Sequence, residues 1–398
     1  MRITSAQMNQ PRPAQSPKKP PGRLLKEWPF FLSVITVGLS LWLRHEWFAG
    51  VPHWVAQAGS LFWLVVIVIL SAFSVVRHAE ALAEKLGEPF GTLILPISVT
   101  GIEVMMITAA MSTGHGQPAL ARDATFSVVM IVLNGLVGAV LLIGGLRYRE
   151  QTYNLQGVNA FLSLIIPLAV LGLILPNFTS GSPGPTITRA HAIFEIVVSL
   201  VIYTVFLAIQ TSVHRRYFIA GGDEGSTQSI EGDAHQSTVP VSRGAYHATL
   251  LLAYLVPLVF LSKVIAHQME DVIQAVDAPP AFAGFLVAAL VLSPESMTAI
   301  RAAWANQLQR SLNILLGSAL ATIALTISAV LTVGLITGQT IYLGLEAPNM
   351  IMLSLTLVAS ILTFSTPRTN ILLGAVHFLI FLAYLMLMFE EHGVRAGP

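Results

Sequence analysis

Apolar positions along this chain fall in long continuous runs, separated by short polar stretches, rather than in alternation or in narrow stripes. A helix needs about 20 mostly apolar residues to cross a bilayer. On that ruler the runs predict eleven spans, at residues 28–49, 58–76, 91–112, 123–146, 159–176, 189–213, 245–266, 281–302, 311–336, 347–366 and 370–389. Lipid supplies no backbone hydrogen bonds, so only helices or closed barrels cross it. The runs lack the in–out alternation of a barrel, and the fold class is therefore an all-α polytopic membrane protein. Around the spans, residues 1–27 are rich in proline, glutamine and lysine and read as a disordered tail. They lack the apolar stretch beside basic residues that marks a signal peptide. Residues 28–57 hold the first helix and its loop, 58–213 five spans, 214–244 a polar loop, 245–389 five more spans, and 390–398 a C-terminal tail.

Composition agrees: of 398 residues 54% are hydrophobic and 10% charged, against about a quarter charged in soluble domains, and mean hydropathy is +0.73. A net charge of +1 without a basic stripe argues against a nucleic-acid partner. The absence of cysteine excludes disulfides, thiol nucleophiles and thiolate metal sites. The basic residues carry topology. With the N-terminal tail in the cytoplasm, 16 of the 21 lysines and arginines fall on that side and 5 on the other. The positive-inside bias then predicts eleven spans with the N-terminus in and the C-terminus out, which suits a bacterial inner membrane. The 214–244 loop, with Asp223, Glu224, Glu231, Asp233 and His235 among Gly, Ser and Thr, reads as a cytoplasmic linker. The sharper alternative is a weak cation sensor or an acidic docking segment.

With the first span set aside, five spans lie on each side of the loop. An odd number per half inserts the second half upside down, the inverted repeat of many secondary transporters. A shift of 192 lays "FGTLILPISVTGIEVMMI" from Phe90 over "FAGFLVAALVLSPESMTAI" from Phe282, and Glu103 falls on Glu295. A carboxylate at mid-membrane costs several kcal/mol unless it faces a cavity, a partner or a proton. Two of them at equivalent points call for a function. Pro96 lacks an N–H and frees the carbonyl of Thr92, and Pro294 does the same for Leu290. Freed carbonyls beside carboxylates suit a hard cation, and Ser98, Thr100, Ser293 and Thr298 add hydroxyls nearby. A carboxylate must lose its proton to bind metal, so cation and protons compete for Glu103 and Glu295. Mutually exclusive occupancy with alternating access predicts an antiporter.

Asn134, Asn313 and Ser318 are further candidates, as ligands or as supports behind them, though such groups often only bond between helices. His377 reads as a core histidine with a proton-relay role as the sharper alternative. Glu195 lies near a predicted interface and reads as solvated and structural. Arg77, His78, Glu80 and Glu84 read as a solvated amphipathic face. No cofactor is expected. The partners are the bilayer and the transported ions, Ca²⁺, Na⁺ or K⁺ and H⁺.

The segments "SAFSVVRHAEALAEKLGEPFGTLILPISVTGIEV", "APPAFAGFLVAALVLSPES", "NQLQRSLNILLGSALATIALT" and "RTNILLGAVHFLIFLAYLM" resemble the calcium/cation antiporter superfamily. Within it they are most similar to the calcium/proton exchanger branch and its bacterial ChaA-type calcium/sodium/potassium–proton antiporters. The likeness runs over roughly residues 60–389 and leaves out the acidic loop. It implies that Glu103 and Glu295 are the cation-binding glutamates of the two repeats, and that spans three, four, eight and nine enclose the site, with spans two and seven as the gate. The family's glycine-serine pair in the next helix stands as Gly317-Ser318, where the first repeat has Leu133-Asn134. The family motif's asparagine is missing from both repeats, so the resemblance implies Ca²⁺ export in exchange for H⁺ with Na⁺ or K⁺ carried as well or instead. A channel or uniporter could use the same glutamates. An intramembrane hydrolase would need HExxH, GxSxG or paired aspartates, which the sequence lacks.

Overall fold

The computed structural model describes residues 27–43, 53–86, 90–111, 118–182, 184–213, 215–218, 241–275 and 278–395. The chain forms eleven apolar helices among these residues. They are α1 (Trp28–Leu43), α2 (His53–Leu86), α3 (Phe90–Met111), α4 (Leu120–Tyr148), α5 (Leu155–Phe178) and α6 (Arg189–Thr211). The second half supplies α7 (Val241–Ala275), α8 (Ala281–Trp304), α9 (Leu308–Thr337), α10 (Ala347–Thr363) and α11 (Ile371–Arg395). Eight are by themselves long and apolar enough to span; α1, α3 and α10 have shorter apolar stretches. All eleven fall on the predicted runs. Several run longer than predicted, because the polar turns "RHAEALAEKL" and "KVIAHQMEDVIQA" continue the helices of α2 and α7 beyond their apolar parts. The predicted C-terminal tail is largely the last turns of α11. Most of the 214–244 loop, including its acidic residues and His235, and residues 1–26 lie outside the described residues.

Burial follows the polarity of each helix. In α6, Val197, Val201 and Val205 recur every four residues with 53%, 55% and 52% exposure, a stripe turned to lipid. In α4, Phe126 through Asn134 are all buried, so this helix lies inside the bundle. Its contact with α11 is backbone to backbone: a Cβ on Gly138 would stand 2.7 Å from the Phe378 nitrogen, and one on Gly374 2.7 Å from the Leu142 nitrogen. Small residues at such a crossing let membrane helices approach closely. A two-residue antiparallel pair, β1 (Gln151–Thr152) with β2 (Arg368–Thr369), joins the α4–α5 connection to the α10–α11 connection. At α5 the Asn154 side chain caps the helix by accepting from the Gln156 and Gly157 amides, at 3.0 and 3.3 Å.

Helices α4, α5 and α9 each contain a π-helical segment, at Ile131–Leu136, Val170–Ile174 and Thr322–Thr326, and α6 runs out into a fourth at Ile209–Val213. Two of these overlap under the 192-residue shift: the α4 segment falls on the α9 segment, and Asn134 falls on Thr326. Ser318, paired with Asn134 by the family resemblance, lies one turn before the α9 segment instead.

A polar cluster ties α1, α2 and α7 together. Glu27, expected in the tail, is 5% exposed. Its Oε2 accepts from the Arg77 guanidinium at 2.7 Å and the Tyr254 hydroxyl at 3.1 Å, and lies 3.1 Å from His78 Nε2. Nδ1 of His78 in turn lies 2.8 Å from Nδ1 of His247. Burial alone would raise the Glu27 carboxyl. The His78 hydrogen bond and the Arg77 charge outweigh it and hold the group below its ordinary value. The solvated face expected at 77–84 is therefore only partly so: Glu80 and Glu84 are exposed, whereas His78 is fully buried. A charged partner just outside a predicted span drew it inward.

Candidate cation site

Glu103 in α3 and Glu295 in α8 are both buried, at 1% and 8% exposure. Each follows a proline within its helix, Pro96 and Pro294. Their surroundings differ. The hydroxyls of Thr322 and Thr326 both donate to Glu103 Oε2 at 3.0 Å. These threonines stand at the two ends of the π segment of α9, four residues apart, so one face of the helix presents both. Oε1 of Glu103 and Oε2 of Glu295 are buried without a hydrogen-bond partner among the described residues. The helices that carry them, α3 and α8, pack against each other. Buried polar atoms are nearly always paired, and these two carboxylate oxygens depart from that rule.

The other candidates divide by where their polar atoms go. Ser293 donates to the Leu290 carbonyl at 2.8 Å, so the carbonyl freed by Pro294 is taken up within its own helix. Ser98 donates to Ile94 at 2.6 Å and Thr298 to Pro294 at 2.9 Å, the back-bonding of hydroxyls in apolar helices. Thr100, one turn before Glu103, is buried. The surroundings of Thr92 lie outside the described residues. Ser318 is half-buried. Asn313 does not reach the glutamates. Its amide donates to the Phe218 carbonyl at 2.6 Å and its oxygen accepts from Gln309 at 2.8 Å, a tie between α9 and the short helix Arg215–Phe218. Asn134 and His377 meet each other, with Asn134 Oδ1 3.1 Å from His377 Nδ1.

Glu195, read from sequence as solvated, is 3% exposed. It lies against the π segment of α5, where a Cβ on Gly172 would stand 3.3 Å from its Oε1. Its position one or two turns into a span understated how far neighbouring helices cover it. Thr322 and Thr326 were missed because a threonine in an apolar helix is unremarked by hydropathy. The signal was present in their four-residue spacing and in the shift that carries Asn134 onto Thr326.

A cavity of about 430 Å³ opens beside the starts of α4, α8 and α10 and the end of α11. Arg122, Asp123, Ser127, Glu346 and Tyr384 line it; Arg122 holds Asp123 at 2.7 Å, and Ser127 meets Tyr384 at 2.8 Å. Along α4 its lining ends at Ser127, about 10 Å short of Asn134 at the helical rise of 1.5 Å per residue.

The family described as sodium/calcium exchanger protein matches residues 56–212 and 246–390, two segments that flank the polar loop. The chain is 41% identical to the sodium-potassium/proton antiporter ChaA of Escherichia coli (strain K12), over 81% of this chain and 86% of that protein. Among solved structures it superposes on native YfkE with a TM-score of 0.67 at 17% identity, covering 90% of this chain and 99% of that one. On the H⁺/Ca²⁺ exchanger CAX the TM-score is 0.62 at 12% identity, covering 94% and 93%. At those identities the two structures speak for the fold alone.

Proposed function

The chain belongs to the sodium/calcium exchanger family, and from that premise we propose that it is a cation/proton antiporter working by competition for Glu103 and Glu295. It is a transporter, not an enzyme. The observation that carries the mechanism is the pair of buried carboxylates, each with an oxygen that no described side chain satisfies. A carboxylate in low dielectric resists ionising alone. It holds a proton, or it holds a cation after releasing that proton, and cannot do both. Movement of the site between the two faces then couples cation flow one way to proton flow the other.

The ChaA relative's name supports Na⁺ and K⁺ as cargo, and the all-oxygen chemistry of carboxylates and hydroxyls equally suits Ca²⁺. We assign all three, with Ca²⁺, Na⁺ or K⁺ leaving the cell in exchange for H⁺. The distribution of 16 basic residues against 5 supports a cytoplasmic N-terminus. On that orientation the Asp123–Glu346 cavity faces outward and supplies the outer approach, in a bacterial inner membrane.

The test uses the full chain in proteoliposomes with a trapped pH dye. Ca²⁺, Na⁺ and K⁺ are added in turn to wild type, Glu103→Gln and Glu295→Gln. Cation-triggered proton movement in wild type, lost in both variants while they remain monodisperse, is the expected result. Cation flux indifferent to the proton gradient would mean a channel or uniporter. Exchange surviving either substitution would overturn the paired-carboxylate mechanism.

A further inference from the structure

Asn134 sits in the π segment of α4, and its amide is held on both sides by the second half of the chain. Thr356 of α10 gives its one proton to the Met352 carbonyl at 2.8 Å, so its oxygen must accept from Asn134 Nδ2, also at 2.8 Å. The amide oxygen therefore faces His377 of α11, whose Nδ1 lies 3.1 Å away and carries the proton, with the Leu133 carbonyl as a second acceptor for the ring. Nε2 of the neutral ring then accepts from the Thr363 hydroxyl at 2.9 Å. Asn134, Thr356, Thr363 and His377 are all at or below 2% exposure. Each direction in this chain forces the next, which fixes the amide orientation and the imidazole tautomer together. Both ring nitrogens are engaged by groups that do not titrate, which leaves the ring no partner for relaying protons.

The repeat shows what this arrangement withholds. The shift that carries Glu103 to Glu295 carries Asn134 to Thr326. Helix α3 packs against the π segment of α9, and α8 packs correspondingly against that of α4. Thr326 donates to Glu103. Its counterpart Asn134 is turned to Thr356 and His377, and Glu295 Oε2 stands without a partner.

We propose that His377 is a positioning residue for exchange: together with Thr356 it holds the Asn134 amide away from Glu295, so that Glu295, which no described side chain donates to, takes up cargo first while Glu103 stays tied to α9 by its two threonine donors. The inference rests on the two-glutamate mechanism proposed above. It assigns different duties to two residues that the repeat makes equivalent.

Loss of either clamp frees Asn134 to donate to Glu295. A donor favours the ionised carboxylate, so exchange should reach its half-maximal rate at lower pH, by roughly one unit for one hydrogen bond to a charged group. The proteoliposome assay is run as a pH titration on His377→Leu and on Thr356→Val, which keeps side-chain shape and guards against misfolding of the first. Both should shift to the acid side. Adding Asn134→Ala to either should abolish the shift, and His377→Gln, which can still donate to the amide oxygen, should keep the wild-type midpoint. A lowered rate at an unmoved midpoint in His377→Leu and Thr356→Val would reduce His377 to a packing residue and overturn the inference. A shift that persists without Asn134 would overturn it as well. Wild-type vesicles without cation-driven proton movement would instead sink the antiporter mechanism itself, an outcome the same plate separates from the other two.

Discussion

Thr326→Val removes a hydroxyl from Glu103 and almost nothing else. Valine matches threonine in shape, and the substitution leaves Thr322 as the remaining donor to Oε2 at 3.0 Å. A hydrogen bond to a charged group contributes about 1.5–3 kcal/mol, a neutral one about 0.5–1.5 kcal/mol. The differential between the ionised and protonated carboxyl is then about 1 kcal/mol or more. At 1.36 kcal/mol per pH unit this moves the midpoint of exchange by roughly one unit. The sign follows from which form is favoured. Without the donor the protonated form gains, protons are held to higher pH, and the midpoint moves to the alkaline side. Thr322→Val/Thr326→Val should move it further but by less than twice as much, because two donors to one oxygen do not act independently. The readout is the pH titration of Na⁺- or Ca²⁺-driven proton release in proteoliposomes. Thr298→Val serves as the control, since that hydroxyl is spent on the Pro294 carbonyl of its own helix. If Thr326→Val and Thr298→Val titrate alike, the contact with Glu103 has no part in the cycle and the reasoning fails.

Two further predictions concern stability. Gly374→Val should separate α4 from α11, since a Cβ there meets the Leu142 backbone at 2.7 Å. Overpacking of this kind costs about 1–3 kcal/mol, and a melt of the purified protein in detergent should show a lowered transition; an unchanged one would mean that the crossing yields without cost. Glu27→Gln tests the cluster at α1, α2 and α7. Because the folded-state carboxyl is held below its ordinary value of 4.5, its contribution is present above that pH and lost as pH falls through the lowered value. Acidifying wild type from pH 6 to the low carboxylate range should lower its melting temperature more than it lowers that of Glu27→Gln; parallel curves would remove Glu27 from the account.

The parts of this structure legible in the sequence are those where one residue carries a large energy. Eleven apolar runs and the basic residues between them set the spans, because each turn of helix in lipid contributes in the same direction. Glu103 and Glu295 stood out because a carboxylate in such a run demands a reason. What hydropathy could not rank was the partnership of modest groups. Asn313 and Asn134 look alike on the sequence, yet one ties α9 to the Arg215–Phe218 helix and the other meets His377. Thr326 looked no different from Thr298, though one donates to a glutamate and the other to its own backbone. Glu27 fell outside the apolar ruler and was assigned to the tail, while the Arg77 and His78 that draw it in were read as solvated. Such choices depend on which face meets which helix, and a one-dimensional pattern of polarity carries that only through spacing and symmetry.

The π segment of α4 has a consequence for how one helix serves two neighbours. Each residue of an α-helix advances the facing direction by about 100°, and a π turn winds one extra residue into the run. Residues before Ile131 and after Leu136 are thus phased as two separate rods on a shared axis. The first keeps its contact with α8, where a Cβ on Gly284 would meet the Asp123–Ala124 backbone, and the second keeps Gly138 and Gly145 turned to α11. Deleting a single residue from this stretch would restore a uniform helix and swing everything beyond it by about a quarter turn. Gly138 would then face away from α11, and Asn134 could keep its neighbours only at the expense of that seam. Helix α4 is in this sense a splice, and the joint lies where α8 packs against it.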